Sequence, residues 1–120
     1  MSFSDEFRKR TKIFAVRAVK LYQSLIRSGE ADILGKQFLR SATSVAANYR
    51  AACRARSKAE FISKLGIVVE EADESVFWLE MLIEAEIITE AKADDLLKEA
   101  TEIMKIASTS RKTAKENNKK

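Results

Sequence analysis

The chain has 120 residues, 33% of them charged and 46% hydrophobic, with a net charge of +4. That size holds one domain around one core, and the apolar content excludes wholesale disorder. Histidine is absent and Cys53 is the single cysteine, which removes the commonest general base and metal ligand and leaves no internal disulfide.

No run approaches the ~18 apolar residues of a membrane span. The opening MSFSDEFRKR sets charges where a signal peptide has its apolar stretch. A lone cysteine suits a reducing compartment. Together these predict a cytoplasmic protein without membrane contact.

Proline is absent and glycine occurs three times, so long helices meet little interruption. The first is expected over about 5–27, with Phe7, Thr11, Phe14, Ala18, Leu21, Tyr22 and Leu25 at three- and four-residue steps. Ser4 is its expected cap, and Asp5 and Glu6 suit the positive end of its dipole. Its outer face carries Lys9, Ile13, Val16, Lys20 and Arg27.

A second helix is expected over about 33–55, capped by Asp32, with Leu34, Phe38, Ala42, Val45, Tyr49, Ala52 and Cys53 inside. Lys36, Arg40, Arg50 and Arg54 fall in one outward sector. They form either a solvated or salt-bridged stripe, part of it pairing with helix three, or a line of phosphate contacts. Asn48, at the edge of the two faces, is expected to make a half-buried hydrogen bond that fixes helix register.

Ser57 and Glu60 read as a capping box opening a third helix over about 58–87. Its core stripe is Phe61, Leu65, Val68, Ala72, Val76, Leu79 and Ile83. A second apolar face, Ile67, Phe77, Trp78 and Met81, points elsewhere and is flanked by Glu70, Glu74, Glu80 and Glu84. A helix apolar on two sides is buried on two sides, which in so small a bundle predicts contact with another copy. Val16 and the lysines of helix one offer the complementary basic surface, a heterologous contact that closes into a ring.

Thr89 caps a fourth helix over about 90–107, with Ala93, Leu96, Leu97, Ala100, Ile103, Met104 and Ala107 inside. Residues 108–120 lose apolar content and are expected to fray as a basic tail bearing Arg111, Lys112 and Lys115. Residues 1–107 thus form an all-α protein, an antiparallel up-down-up-down four-helix bundle.

Charge is segregated. Residues 1–64 carry 14 Lys/Arg against 5 Asp/Glu, residues 65–104 carry 2 against 12, and residues 105–120 carry 6 against 1. Such blocks predict charge-complementary packing, a nucleic-acid partner, or both. Lys9, Lys20, Arg27, Lys36, Arg40, Arg50, Arg54 and the tail residues Arg111, Lys112 and Lys115 are the candidate phosphate contacts.

Catalysis has no support. Di-iron bundles need Glu-x-x-His pairs facing the core, whereas Glu71-x-x-Glu74 lacks histidine. Ser41, Ser44 and Ser63 have no base beside them. No enzyme activity, metal or cofactor is expected.

The run QFLRSATSVAANYRAACRARSKAEFISKL followed by EEADESVFWLEML resembles the family of 23S rRNA-intervening sequence proteins over roughly residues 7–107. The resemblance is carried by Gln37, Arg40, Ser41, Ser44, Asn48, Arg54, Ser57, Phe61, Leu65, Glu71 and Glu74, with Trp78-Leu79-Glu80. It implies a four-helix bundle assembled as a homopentameric ring. It also implies kinship with the accessory variability proteins of diversity-generating retroelements, basic pentamers that work with a reverse transcriptase and nucleic acid. Ala51 departs from the acidic residue that the family often has there. The expected function is a non-enzymatic oligomer that binds RNA or DNA through a basic surface; the alternative is a scaffold for a protein partner.

Overall fold

The computed structural model describes residues 2–26 and 28–118. It contains four helices: α1 (Phe3–Ser24), α2 (Gly29–Cys53), α3 (Lys58–Glu84) and α4 (Glu90–Asn118). They form a rod of 51 × 23 × 22 Å. Each helix packs along its neighbour in sequence, α1 closes the bundle against α4 through a thinner seam, and the diagonal pairs stay apart. That is the expected all-α up-down bundle.

The helix starts follow from serine and threonine caps. Ser2, Ser28, Ser57 and Thr89 side chains accept from the backbone N–H three residues on, at 3.1–3.2 Å. Two starts therefore fall earlier than Ser4 and Asp32 suggested. Asp32 instead lies in the first turn of α2, where it accepts from the Tyr22 hydroxyl and pairs with Lys36.

α3 stops at Glu84 rather than near residue 87. Glu86 adopts φ 61°, the Ile87 N–H donates to Leu82 O and the Glu86 N–H to Ile83 O, both at 2.9 Å. These are the two bonds of a Schellman closure.

The expected frayed tail is instead the last third of α4. The apolar spacing is kept by small residues, with Ala107 and Ala114 both buried. Arg111 lies along α3, its Nε donating to Ile62 O at 3.3 Å, with the guanidinium against Gly66. Lys119 and Lys120 lie outside the described residues.

The core contains Phe14, Phe38, Leu65, Leu79, Leu82 and Ile103, all below 2% exposure. Edge-on ring pairs join α1 to α2, Phe7 with Tyr49 at 4.6 Å and Phe14 with Phe38 at 6.4 Å. Across α2 and α3 the buried Ser75 hydroxyl donates to Ser41 Oγ at 3.0 Å. This pair links two helices, whereas Asn48 Nδ2 donates within α2, to Ser44 O at 2.9 Å and Ser44 Oγ at 3.0 Å.

Candidate nucleic-acid interface

α1 and α2 run antiparallel, and between their outer edges lies a groove of about 560 Å³. It is lined by Arg8, Lys9 and Lys12 from α1 and by Ala46, Ala47, Arg50 and Arg54 from α2. Five cations surround a floor of two alanine methyls, and no carboxylate is among the described lining residues. Arg8 is held by Asp5 at 3.0 Å. Among the described residues, Lys9, Lys12, Arg50 and Arg54 make no ion pair. Like charges gathered without counter-charge raise the local potential and attract a polyanion.

The local sequence explains the gathering. Arg8 and Lys12 are one helical turn apart, as are Arg50 and Arg54, so each pair stacks on one flank about 6 Å apart. Alanine at 46 and 47 keeps the floor low. Arg50 also sits in the last turn of α2, where the helix dipole favours a cation.

The predicted cations divide. Lys9, Arg50 and Arg54 meet in the groove. Arg40 does not: its Nη1 donates to Glu71 at 3.0 Å and its Nη2 to Glu74 at 3.3 Å. Arg40 and Arg50 are ten residues apart, about 80° around the helix, so one leans toward α3 and the other toward α1. Lys36 pairs with Asp32 at 3.0 Å. Lys20 lies at the α1–α4 side beside Arg17, Lys92 and Asp95. Arg111 is turned onto α3, Lys112 and Lys115 are exposed on α4, and Arg27 lies outside the described residues. Arg8 and Lys12 were the missed contributors; their four-residue spacing was the available signal.

The clamp on Arg40 has its own electrostatics. Burial pushes the Glu71 carboxyl up, but hydrogen bonds shared with Glu74, Arg40 and Ser44 outweigh it and hold the group below its ordinary value. Glu74 is raised, first by its hydrogen bond to Glu71, then by burial and by Glu71's charge. The Arg40 guanidinium is raised by its hydrogen bond to Glu71. A lowered carboxyl stabilises the fold above its unfolded value and loses that contribution as pH falls through its folded value. Glu71→Gln should therefore cost about 1 kcal/mol at neutral pH, with the deficit shrinking below about pH 4. Urea unfolding at the two pH values checks this. An equal deficit at both would show that Glu71's charge is irrelevant to the clamp. For Glu74 the sign reverses: its raised value favours the fold below the ordinary carboxylate range and opposes it above. Glu74→Gln should therefore not weaken the protein at neutral pH.

The second face of α3 is present but narrower than the residue spacing suggested. Phe77 is 50% exposed, while Trp78, Ile67 and Met81 are half-buried. Trp78 lies six residues from Ala72, about 120° around the helix, and so reaches the seam rather than the outermost line. It packs against the core, with its ring edge-on to Phe77 at 4.9 Å. Among the described residues its buried Nε1 has no hydrogen-bond partner. Glu70 and Glu74 are exposed around Phe77. On α1, Ile13 and Val16 are 60% and 49% exposed and form a shallow apolar surface with Lys9, Lys12 and Arg17 at its border.

Ser57 accepts from the Glu60 N–H at 3.1 Å, while the Glu60 carboxylate accepts from Arg56 N at 3.4 Å. Among the described residues no group of three or more His, Cys, Asp or Glu side chains is placed to hold a metal ion. None of their helices is long and apolar enough to cross a membrane.

A four-helix bundle with a cation-lined groove on one side and an acidic, partly apolar helix face on the other is the class of protein these features define. The family described as 23S rRNA-intervening sequence protein matches residues 5–109, and the chain belongs to that family. A crystal structure of a protein of unknown function from the S23 ribosomal protein family, from Bacteroides thetaiotaomicron VPI-5482, is similar, at 39% identity and TM-score 0.85. The match covers 91% of this chain and 97% of that one. Among curated proteins no match was found.

Proposed function

We propose that this chain is a non-enzymatic subunit that assembles with copies of itself and holds RNA or DNA by its phosphates in the α1–α2 groove. The observation that carries the binding half is the groove itself, with five Lys/Arg side chains and no acidic lining. Assembly draws on complementary faces: Phe77 among Glu70, Asp73, Glu74 and Glu80 on α3, and Ile13 and Val16 beside Arg17 on α1, with Lys9 and Lys12 left to the groove. A contact between two different faces propagates in one direction and closes as a ring where the rotation between copies closes. Five subunits is the number that the sequence resemblance implies and that we adopt for this reading.

Electrophoretic mobility shift with structured rRNA fragments tests the binding half. A shift is expected near 50 mM salt, weakening steeply by about 200 mM as the release of condensed counterions becomes less favourable. No shift at either salt would reject nucleic-acid binding and leave a scaffold for a protein partner, such as a reverse transcriptase encoded nearby.

A further inference from the structure

We infer that the α1–α2 groove takes the backbone of double-helical nucleic acid, irrespective of base sequence. This rests on the phosphate-binding reading above and specifies its ligand. A site for single strands needs flat rings on which unstacked bases can lie. Here none is available. Of the two exposed aromatic residues, Phe3 stacks on Phe7 at 5.8 Å and Phe77 belongs to α3. The remaining Phe, Tyr and Trp side chains are in the core or packed against it. A base entering the groove would meet only the methyls of Ala46 and Ala47.

Readout of a full base sequence is equally unsupported. Arginine and lysine can reach guanine edges, but adenine and cytosine are read by Asn, Gln, Asp or Glu, and the described lining contains none of these, so its cations can serve phosphates on any sequence. What the groove does offer is two rows of cations on facing helices, Arg8, Lys9 and Lys12 opposite Arg50 and Arg54. The convex phosphate ridge of a duplex presents charge outward while its bases stay stacked within. It therefore needs only those rows.

Fluorescence anisotropy of the full-length chain tests this with four probes of equal length: duplex RNA, duplex DNA, an unstructured single strand and a duplex of scrambled sequence. Either duplex is expected to bind at least about tenfold tighter than the single strand, with scrambling having no effect. If Lys9, Lys12, Arg50 and Arg54 each neutralise one phosphate, the slope of log affinity against log salt should be about −3.6 on a duplex. Arg50→Glu combined with Arg54→Glu, both exposed positions, should abolish the duplex preference while circular dichroism stays unchanged. Single-strand binding as tight as duplex binding would overturn the inference and leave the phosphate-binding reading standing. Duplex binding that the double variant leaves intact would overturn it as well. Failure of all four probes to bind would overturn both.

Discussion

Replacing Phe38 by alanine is expected to remove about 3–5 kcal/mol of stability, the range for deleting a fully buried aromatic ring. Phe38 is 1% exposed and meets Phe14 edge-on from α1. It sits on α2 three residues before Ser41, whose hydroxyl donates to the Phe38 carbonyl at 3.0 Å and accepts from Ser75 on α3. One side chain thus anchors the helix that both α1 and α3 rest on. The cavity is lined by other helices and cannot collapse without moving them, so relaxation recovers little. Urea unfolding at fixed protein concentration should show a lower midpoint with an unchanged slope. A loss under about 1 kcal/mol would mean that the α1–α2 seam repacks freely, contrary to the geometry described.

The second large effect concerns assembly. If copies of the chain assemble as proposed, Phe77→Glu is expected to yield monomers of unchanged helicity where the unaltered chain forms a larger species. Phe77 is half exposed in the single chain and would be covered in the proposed contact, where a charge in its place costs about 2 kcal/mol or more, repeated at every junction of a ring. Phe77 is a cleaner probe than Trp78, because Trp78 also packs against the bundle interior and its replacement would unsettle the fold itself. Val16→Glu should act from the opposite face. A junction between two different surfaces makes a further demand: each variant keeps one intact face, so mixing the two should yield a heterodimer and nothing larger. Light scattering or sedimentation reads all three states. A wild-type monomer at micromolar concentration, or a Phe77→Glu protein of unaltered mass, would dispose of the interface.

Much of the architecture was legible in residue spacing. The stripes from Phe7 to Leu25, from Phe38 to Ala52 and from Leu65 to Leu79 are the core, and Ser57 and Thr89 cap where hydroxyls before apolar runs indicated. The end of α4 was less legible. Ala107 and Ala114 continue the buried line with side chains too small to register as a hydrophobic stripe. The candidate site was half legible for a different reason. A helical wheel places Arg40, Arg50 and Arg54 together on the outside, but whether each meets a carboxylate depends on the rotation of α2 against α3. That rotation brings Glu71 and Glu74 to Arg40 and leaves Arg50 and Arg54 facing α1. Arg8 and Lys12 join them only once two helices are side by side, a relation no single segment encodes.

The order of neighbours in the bundle also bears on how quickly the native state is reached. Because each helix lies against the one before it, most contacts join stretches close in sequence, so little loop-closure entropy precedes their formation. Helical domains of this kind fold in microseconds to milliseconds. The exception is the α1–α4 seam, where Arg10 meets Glu99 in a two-pronged bond at 2.8 and 2.7 Å across 89 residues of chain. That pairing is available only when the last helix exists, so during synthesis α1, α2 and α3 can associate on the ribosome while the fourth side waits to be closed.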